Sequence, residues 1–170
     1  HENYWSLWTG GQAGSESQSI ASPPVSVAVL LGALDGSETA LIVLNSGISE
    51  EMGTGLRRYV ARSSGWQLDQ EFLLELPRRF AEEMTPTGGL QAVRIGDIDH
   101  DGHADAAFVF NGDAYRSGVL FVSSRRLDPL GFTDIQADAA GRCAWIPQTP
   151  NTPAQLLVPA GRRLLGVIPK

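Results

Sequence analysis

Short runs of apolar and β-branched residues alternate along this chain with clusters of glycine, proline, asparagine and aspartate, a rhythm that predicts strands joined by turns. Residues 25–31 and 39–44 make the first pair, with Asp35-Gly36 as the tight turn that would set them antiparallel. Residues 56–62 and 66–76 follow about a Ser63-Ser64-Gly65 turn. In the first of these, Arg57, Tyr59 and Ala61 alternate with Leu56, Arg58 and Val60, so neither face is cleanly apolar. In the second, Leu68, Phe72, Leu73 and Leu76 also fit a helical period, which leaves helix open for 68–75. Four more strands fit at 91–95, 106–110, 118–123 and 131–136, with turn signals at Asn111-Gly112-Asp113 and 125–131. Residues 143–146, 155–158 and 163–168 come last, the final two about a Pro159-Ala160-Gly161 turn. The pattern predicts a mainly β protein of antiparallel sheets, with 77–89 as a connection that has room for one helical turn.

Between the strands at 91–95 and 106–110 the chain reads Gly96-Asp97-Ile98-Asp99-His100-Asp101-Gly102-His103-Ala104-Asp105. Counted from Asp97, aspartates stand at positions 1, 3, 5 and 9 and glycine at position 6. Carboxylates crowded in this way each raise the cost of ionising the next, and a hard dication with oxygen ligands removes that cost. Calcium is therefore the expected cofactor. Its expected ligands are Asp97, Asp99, Asp101, Asp105 and the backbone carbonyl of His103, with Gly102 making the bend that folds the loop around one ion. An EF-hand would need a glutamate at position 12, where Phe108 stands, and helices on both sides.

This run, followed at once by a strand, resembles the calcium loop of FG-GAP or VCBS repeats, the blades of integrin-type β-propellers. The resemblance runs on through Gly118 and Gly131, covering about residues 93–140. A weaker copy can be laid on it with two residues deleted: Gly32, Asp35, Gly36 and Asn45 match Gly96, Asp99, Gly102 and Asn111, at a spacing of about 64 residues. That copy lacks counterparts of Asp97, Asp101 and Asp105, so it is expected to keep the turn and lose the metal. The resemblance implies blade-like antiparallel sheets of propeller type, with repeat-like units at about 25–76 and 91–140 and a fragment of a third. It also favours strand over helix at 68–75. Two to three units are fewer than the four or so blades of a closed ring, which implies an incomplete or atypical one.

At 170 residues and 42% apolar content the chain can bury one sizeable core. We expect a single β-rich domain over 25–170, preceded by an N-terminal segment, 1–24, of aromatic and then Gly/Ser/Gln-rich character. Trp5 and Trp8 in that segment suit either a docked terminal strand or an exposed contact. No apolar run reaches the length of a membrane span, and no signal-like opening is present, so a mature chain with its signal removed is expected. The net charge of -6, with arginines scattered as doublets, argues against nucleic acid.

The catalytic inventory is sparse. His1 has no partner histidine for a copper site except the loop residues His100 and His103. Cys143 stands alone beside Arg142, and reads as a small buried hydrophobe rather than a nucleophile. Glu50-Glu51 and Glu82-Glu83 are adjacent pairs of the kind that usually lie solvated, and no serine sits in a nucleophile elbow. No catalytic residue is assigned. A site with so many protein ligands is closed, so the ion is expected to be structural.

The expected function is that of a non-catalytic, calcium-stabilised module that binds another protein outside the cytoplasm. The resemblance to short bacterial repeat proteins makes the specific form a periplasmic or secreted inhibitor, or immunity protein, acting on a secreted hydrolase. The alternative is a glycan-binding or adhesion module in which Trp5, Trp8, Trp66 or Trp145 stacks on sugar rings.

Overall fold

The computed structural model describes residues 3–8, 17–22, 25–46, 55–74, 91–111, 117–136, 139 and 141–169. All regular structure among them is strand, and all of its pairing is antiparallel. A hairpin of β1 (Asn3–Trp8) and β2 (Ser17–Ser22) opens the chain. Three sheets follow, each built from consecutive strands. The first contains β3 (Val25–Gly32), β4 (Thr39–Ser46), β5 (Gly55–Arg62) and β6 (Gly65–Leu73). The second contains β7 (Gln91–Arg94), β8 (Ala106–Asn111), β9 (Ser117–Val122) and β10 (Pro129–Ile135). In the third, β11 (Ala144–Ile146), β12 (Gln155–Ala160) and β13 (Arg163–Val167) fall on the three segments that the sequence pattern marked last, and they pair into a three-stranded sheet.

The second sheet lies between the other two, and strand alternation explains how. Ala106, Phe108 and Phe110 of β8 share one buried cluster with Leu31, Ile42, Leu44 and Leu56 of the first sheet. Ala107 and Val109 turn the other way, into a cluster with Leu156, Val158 and Val167 of the third. A strand buried on both faces is apolar along nearly all its length, which is why residues 106–110 of β8 and 118–122 of β9 read as unbroken apolar runs. Gly118 belongs to this packing: a Cβ there would stand 2.5 Å from Phe110 Cε2, and Phe110 stacks on Phe132 with ring centroids 5.9 Å apart. A side chain at 118 would have to displace that pair.

β6 runs as strand through Gly65–Leu73, so the helical spacing of Leu68, Phe72 and Leu73 does not decide its form. Pairing with β5 along its whole length does, and Leu68 and Leu73 stand exposed on it. On β5, Leu56, Arg58 and Val60 prove to be the buried face. Arg58 is only 4% exposed and is held there by ion pairs to Glu38 and Asp69. The sequence showed the alternation, but the carboxylates that make Arg58 tolerable in that face come from a turn and from a neighbouring strand. Trp66 is buried with Leu41 and Val43. Several sequence expectations lie outside the described residues: the helical turn at 77–89, the Gly112-Asp113 turn, His1, both glutamate pairs, and the side chains of Trp5 and Trp8.

Candidate metal centre

The aspartate loop lies between β7 and β8 and is pinned at both ends by Asp105. Its backbone bonds back to the start of the loop, Ile95 N to Asp105 O at 2.9 Å and Asp105 N to Gly96 O at 3.4 Å. Its side chain is fully buried, and both oxygens accept backbone N–H groups: Oδ2 from Ile98 at 2.8 Å, and Oδ1 from Ser124, in the β9–β10 turn, at 3.1 Å. One carboxylate thus joins the two halves of the loop to the neighbouring turn. That turn carries a buried leucine, Leu127, at φ 60, a left-handed conformation that costs about 1–2 kcal/mol in an L-residue. Packing of the Leu127 side chain into the core between the first two sheets offsets it.

The other aspartates fold inward by capping the loop's own backbone. Asp97 accepts from Asp101 N at 3.1 Å and Gly102 N at 2.9 Å; Asp99 accepts from Asp101 N at 3.3 Å, and Asp101 from His103 N at 2.9 Å. Gly102 takes φ 88 at the bend, where a side chain would be strained, and His100 takes φ 62. Carboxylate oxygens of Asp97, Asp99 and Asp105 come within 4.8 Å of one another, a group that could hold a metal ion. Asp101 and the His103 ring stand outside this trio.

The His103 backbone is placed by the first sheet. It forms a bridge with Ala33, flanked by Leu34 N to Gly102 O at 2.9 Å and Ala104 N to Gly32 O at 3.1 Å. In that pattern the N–H and C=O of His103 itself turn away from the partner strand, back toward the loop, where the N–H meets Asp101. The weaker copy predicted at 32–36 is therefore a direct neighbour of the aspartate loop. It retains the turn, with Gly36 at φ 76 and Asp35 accepting from Ser37 N at 2.9 Å, and these bonds to Ser37 hold the Asp35 pKa below the usual carboxylate value. The His103 ring lies 3.7 Å from Glu38 Oε1, so Arg58, Glu38 and His103 form a chain of polar contacts from β5 to the loop. Sequence reasoning missed Arg58 and Glu38 because they are remote from the motif.

The charge balance of the loop is poor. Asp99 Oδ2 and Asp101 Oδ2 are buried and have no hydrogen-bond partner. Arg126 Nη2 approaches Asp99 Oδ2 to 3.1 Å without hydrogen-bond alignment; it also leans on Asp128, and half its side chain is in solvent, so its charge is well screened. Burial pushes the Asp105 pKa from 3.8 up to about 6, with Asp99 and Asp101 adding to the rise against the two backbone N–H groups. The folded protein thus keeps this proton over a range, about pH 4 to 6, where the unfolded chain has released it. With chelator present, Asp105 is expected to make stability fall as pH rises through that window and level off above it, the reverse of a salt-bridged carboxylate. Urea midpoints of the parent minus those of Asp105→Asn, measured at about pH 4 and about pH 7, isolate the effect from other carboxylates. A difference that does not change with pH would contradict it.

A loop of carboxylates in which Asp99 and Asp101 each bury an oxygen that accepts no hydrogen bond fits a hard cation and offers nothing to a soft one. Set against known proteins, the chain matches no family model, no curated protein and no solved structure. The loop's function therefore has to be argued from its own residues. Elsewhere, Cys143 is half-buried, burial pushes its thiol pKa up, and its backbone N–H is tied to Gln91 Oε1 at 3.1 Å. No helix among the described residues is long and apolar enough to cross a membrane.

Proposed function

We propose that this chain is a non-catalytic, calcium-stabilised protein-binding module built from blade-like sheets of FG-GAP or VCBS type. The observation that carries the reading is the position of the aspartate loop. It is bonded to the β3–β4 turn of the first sheet and to the β9–β10 turn of its own sheet, so a cation held there would join structure instead of facing a substrate. Calcium would supply the positive charge that Asp97, Asp99, Asp101 and Asp105 lack, with the His103 carbonyl as a main-chain donor. The first strands of the three sheets, β3, β7 and β11, adjoin one another in order, which supports a propeller-like arrangement about an axis. A raised thiol pKa at Cys143 weighs against a nucleophile there.

In its specific form the module is a periplasmic or secreted inhibitor, or immunity protein, that neutralises a secreted hydrolase; the extracytoplasmic setting suits a calcium site of this type. The glycan reading loses Trp66, which is buried in the first sheet, and retains Trp145, which lines a cleft. Affinity capture on the immobilised protein from bacterial periplasmic and secreted fractions, with calcium and with chelator, tests the proposal. One dominant hydrolase whose activity falls when the module is added is the expected result. Recovery of polysaccharide, or of no protein, would overturn it.

A further inference from the structure

The first strands of the three sheets adjoin one another, and their outer edges are β6, β10 and β13. An unpaired edge is a row of free N–H and C=O groups that another strand can join, and proteins blunt such edges with charges, prolines and bulges. β6 carries Asp69 and Glu71, and its register with β5 shifts at Arg58/Tyr59. β10 begins at Pro129, shifts between Pro129 and Gly131, and carries Asp134. β13 has none of these past its first residue: Leu164-Leu165-Gly166-Val167 is uncharged and runs in unbroken register with β12. Leu164 is 61% exposed there, and Gly166 is exposed as well.

The hairpin fixes which backbone groups of β13 are free. Ala160 and Arg163 face one another across the turn Gly161-Arg162, with Gly161 at φ 59, so they form the hydrogen-bonded pair that closes it. Bonded and non-bonded pairs then alternate along the ladder. Pro159 and Leu164 make a non-bonded pair, as Pro159 with no N–H requires, and Leu157 and Gly166 make the next. The N–H and C=O groups of Leu164 and Gly166 therefore point away from β12, and among the described residues nothing pairs with them.

The charge beside this edge is one-sided. From Gly141 to Pro169 the chain has three arginines, Arg142, Arg162 and Arg163, and no aspartate or glutamate, although the whole chain stands at -6. All three are exposed, and none makes an ion pair among the described residues. Arg162 and Arg163 stand where β13 begins. A second copy joined edge to edge would set one wholly basic sheet beside another. An extended segment with acidic residues at one end avoids that repulsion. Its main chain takes up the free groups of Leu164 and Gly166, its carboxylates face Arg162 and Arg163, and a large apolar side chain covers the bare backbone of Gly166. We infer that β13 accepts such a segment from a partner protein as an added antiparallel strand. The inference rests on the protein-binding reading above and assigns the surface that does the binding.

The test titrates the full chain, labelled with 15N and in calcium, with the capped hexapeptide acetyl-Thr-Phe-Val-Thr-Glu-Glu-amide. In antiparallel register its phenylalanine stands opposite Gly166 and its glutamates opposite Arg163 and Arg162. Hydrogen exchange of the Leu164 and Gly166 amides is expected to slow about tenfold or more at saturation, while that of Leu165, already bonded to β12, stays unchanged. A peptide with lysines in place of the glutamates is expected to bind about tenfold more weakly, and Arg162→Gln with Arg163→Gln to remove that preference. Leu164→Pro takes one donor from the edge where a strand tolerates proline, and is expected to abolish binding; Leu164→Thr retains the N–H and the binding. No slowing at the solubility limit of the peptide, equal binding of the two peptides, or binding by a folded Leu164→Pro would each overturn the inference. A dimer in sedimentation that Leu164→Pro dissolves would overturn it in favour of a second copy. If Leu164→Pro does not fold, the peptide pair and the arginine variant decide. A hydrolase captured equally by the parent and the arginine variant would keep the protein-binding reading and overturn β13 as its surface. Peptide binding as expected with failed capture would leave the edge assigned and refute the hydrolase inhibitor.

Discussion

Saturating calcium is expected to raise the melting temperature of the chelated protein by roughly 5–10 °C. A cation that binds only the folded state stabilises it by about 2.7 kcal/mol at a hundredfold excess over its Kd, and for a chain of this size each kcal/mol moves the midpoint by about 2–4 °C. The donors are already assembled by backbone bonds, so little ordering opposes binding. Asp99→Asn, within the trio of approaching carboxylates, is expected to remove most of the increment. Asp101→Asn separates metal binding from folding. Its Oδ1 accepts from His103 N and its Oδ2 is buried without a partner, so the amide can keep the first bond while deleting an unbalanced charge. In chelator Asp101→Asn should melt no lower than the parent, and in calcium it should gain less. If only Asp99→Asn loses the increment, the ligands are the trio alone. Parent melting curves that coincide with and without calcium would refute the metal site.

Phe108→Ala is expected to cost about 3–5 kcal/mol, or roughly 6–20 °C in the midpoint. Phe108 has no exposed surface and lies in the middle sheet, facing Leu44 and Leu56 across the boundary with the first sheet. The cavity left there cannot collapse, because β8 is paired on both sides and its backbone leads directly from the aspartate loop. The matched control is Leu73→Ala on β6, where the side chain is 72% exposed and the change should stay within about 0.5 kcal/mol. A loss at Phe108 no larger than at Leu73 would mean that the sheets do not stack in this way. The Phe108→Ala loss should also be similar in calcium and in chelator, since the substitution removes packing and leaves the carboxylates in place.

Much of this protein is determined by local chemistry and so is legible in its sequence. Alternating β-branched runs and turn residues place β3, β4 and β7 to β10 within a residue or two, because strand pairing needs only that pattern and a turn that can close it. The aspartate loop is equally local in its first part: Asp97, Asp99 and Asp101 cap amides two to five residues away, so spacing alone folds them inward. Tertiary structure decided what spacing could not. Burial in the core raises the Asp105 pKa against the N–H groups of Ile98 and Ser124, Arg58 is accepted in a buried face by Glu38 and Asp69, and Trp145 of β11 meets Gly96 to close one wall of the cleft. Each depends on residues remote in sequence meeting at one place, within one sheet for Arg58 and for the Asp105–Ser124 bond and between sheets for Trp145. Burial, and the charge imbalance it creates, is a property of that packing and has no local signature.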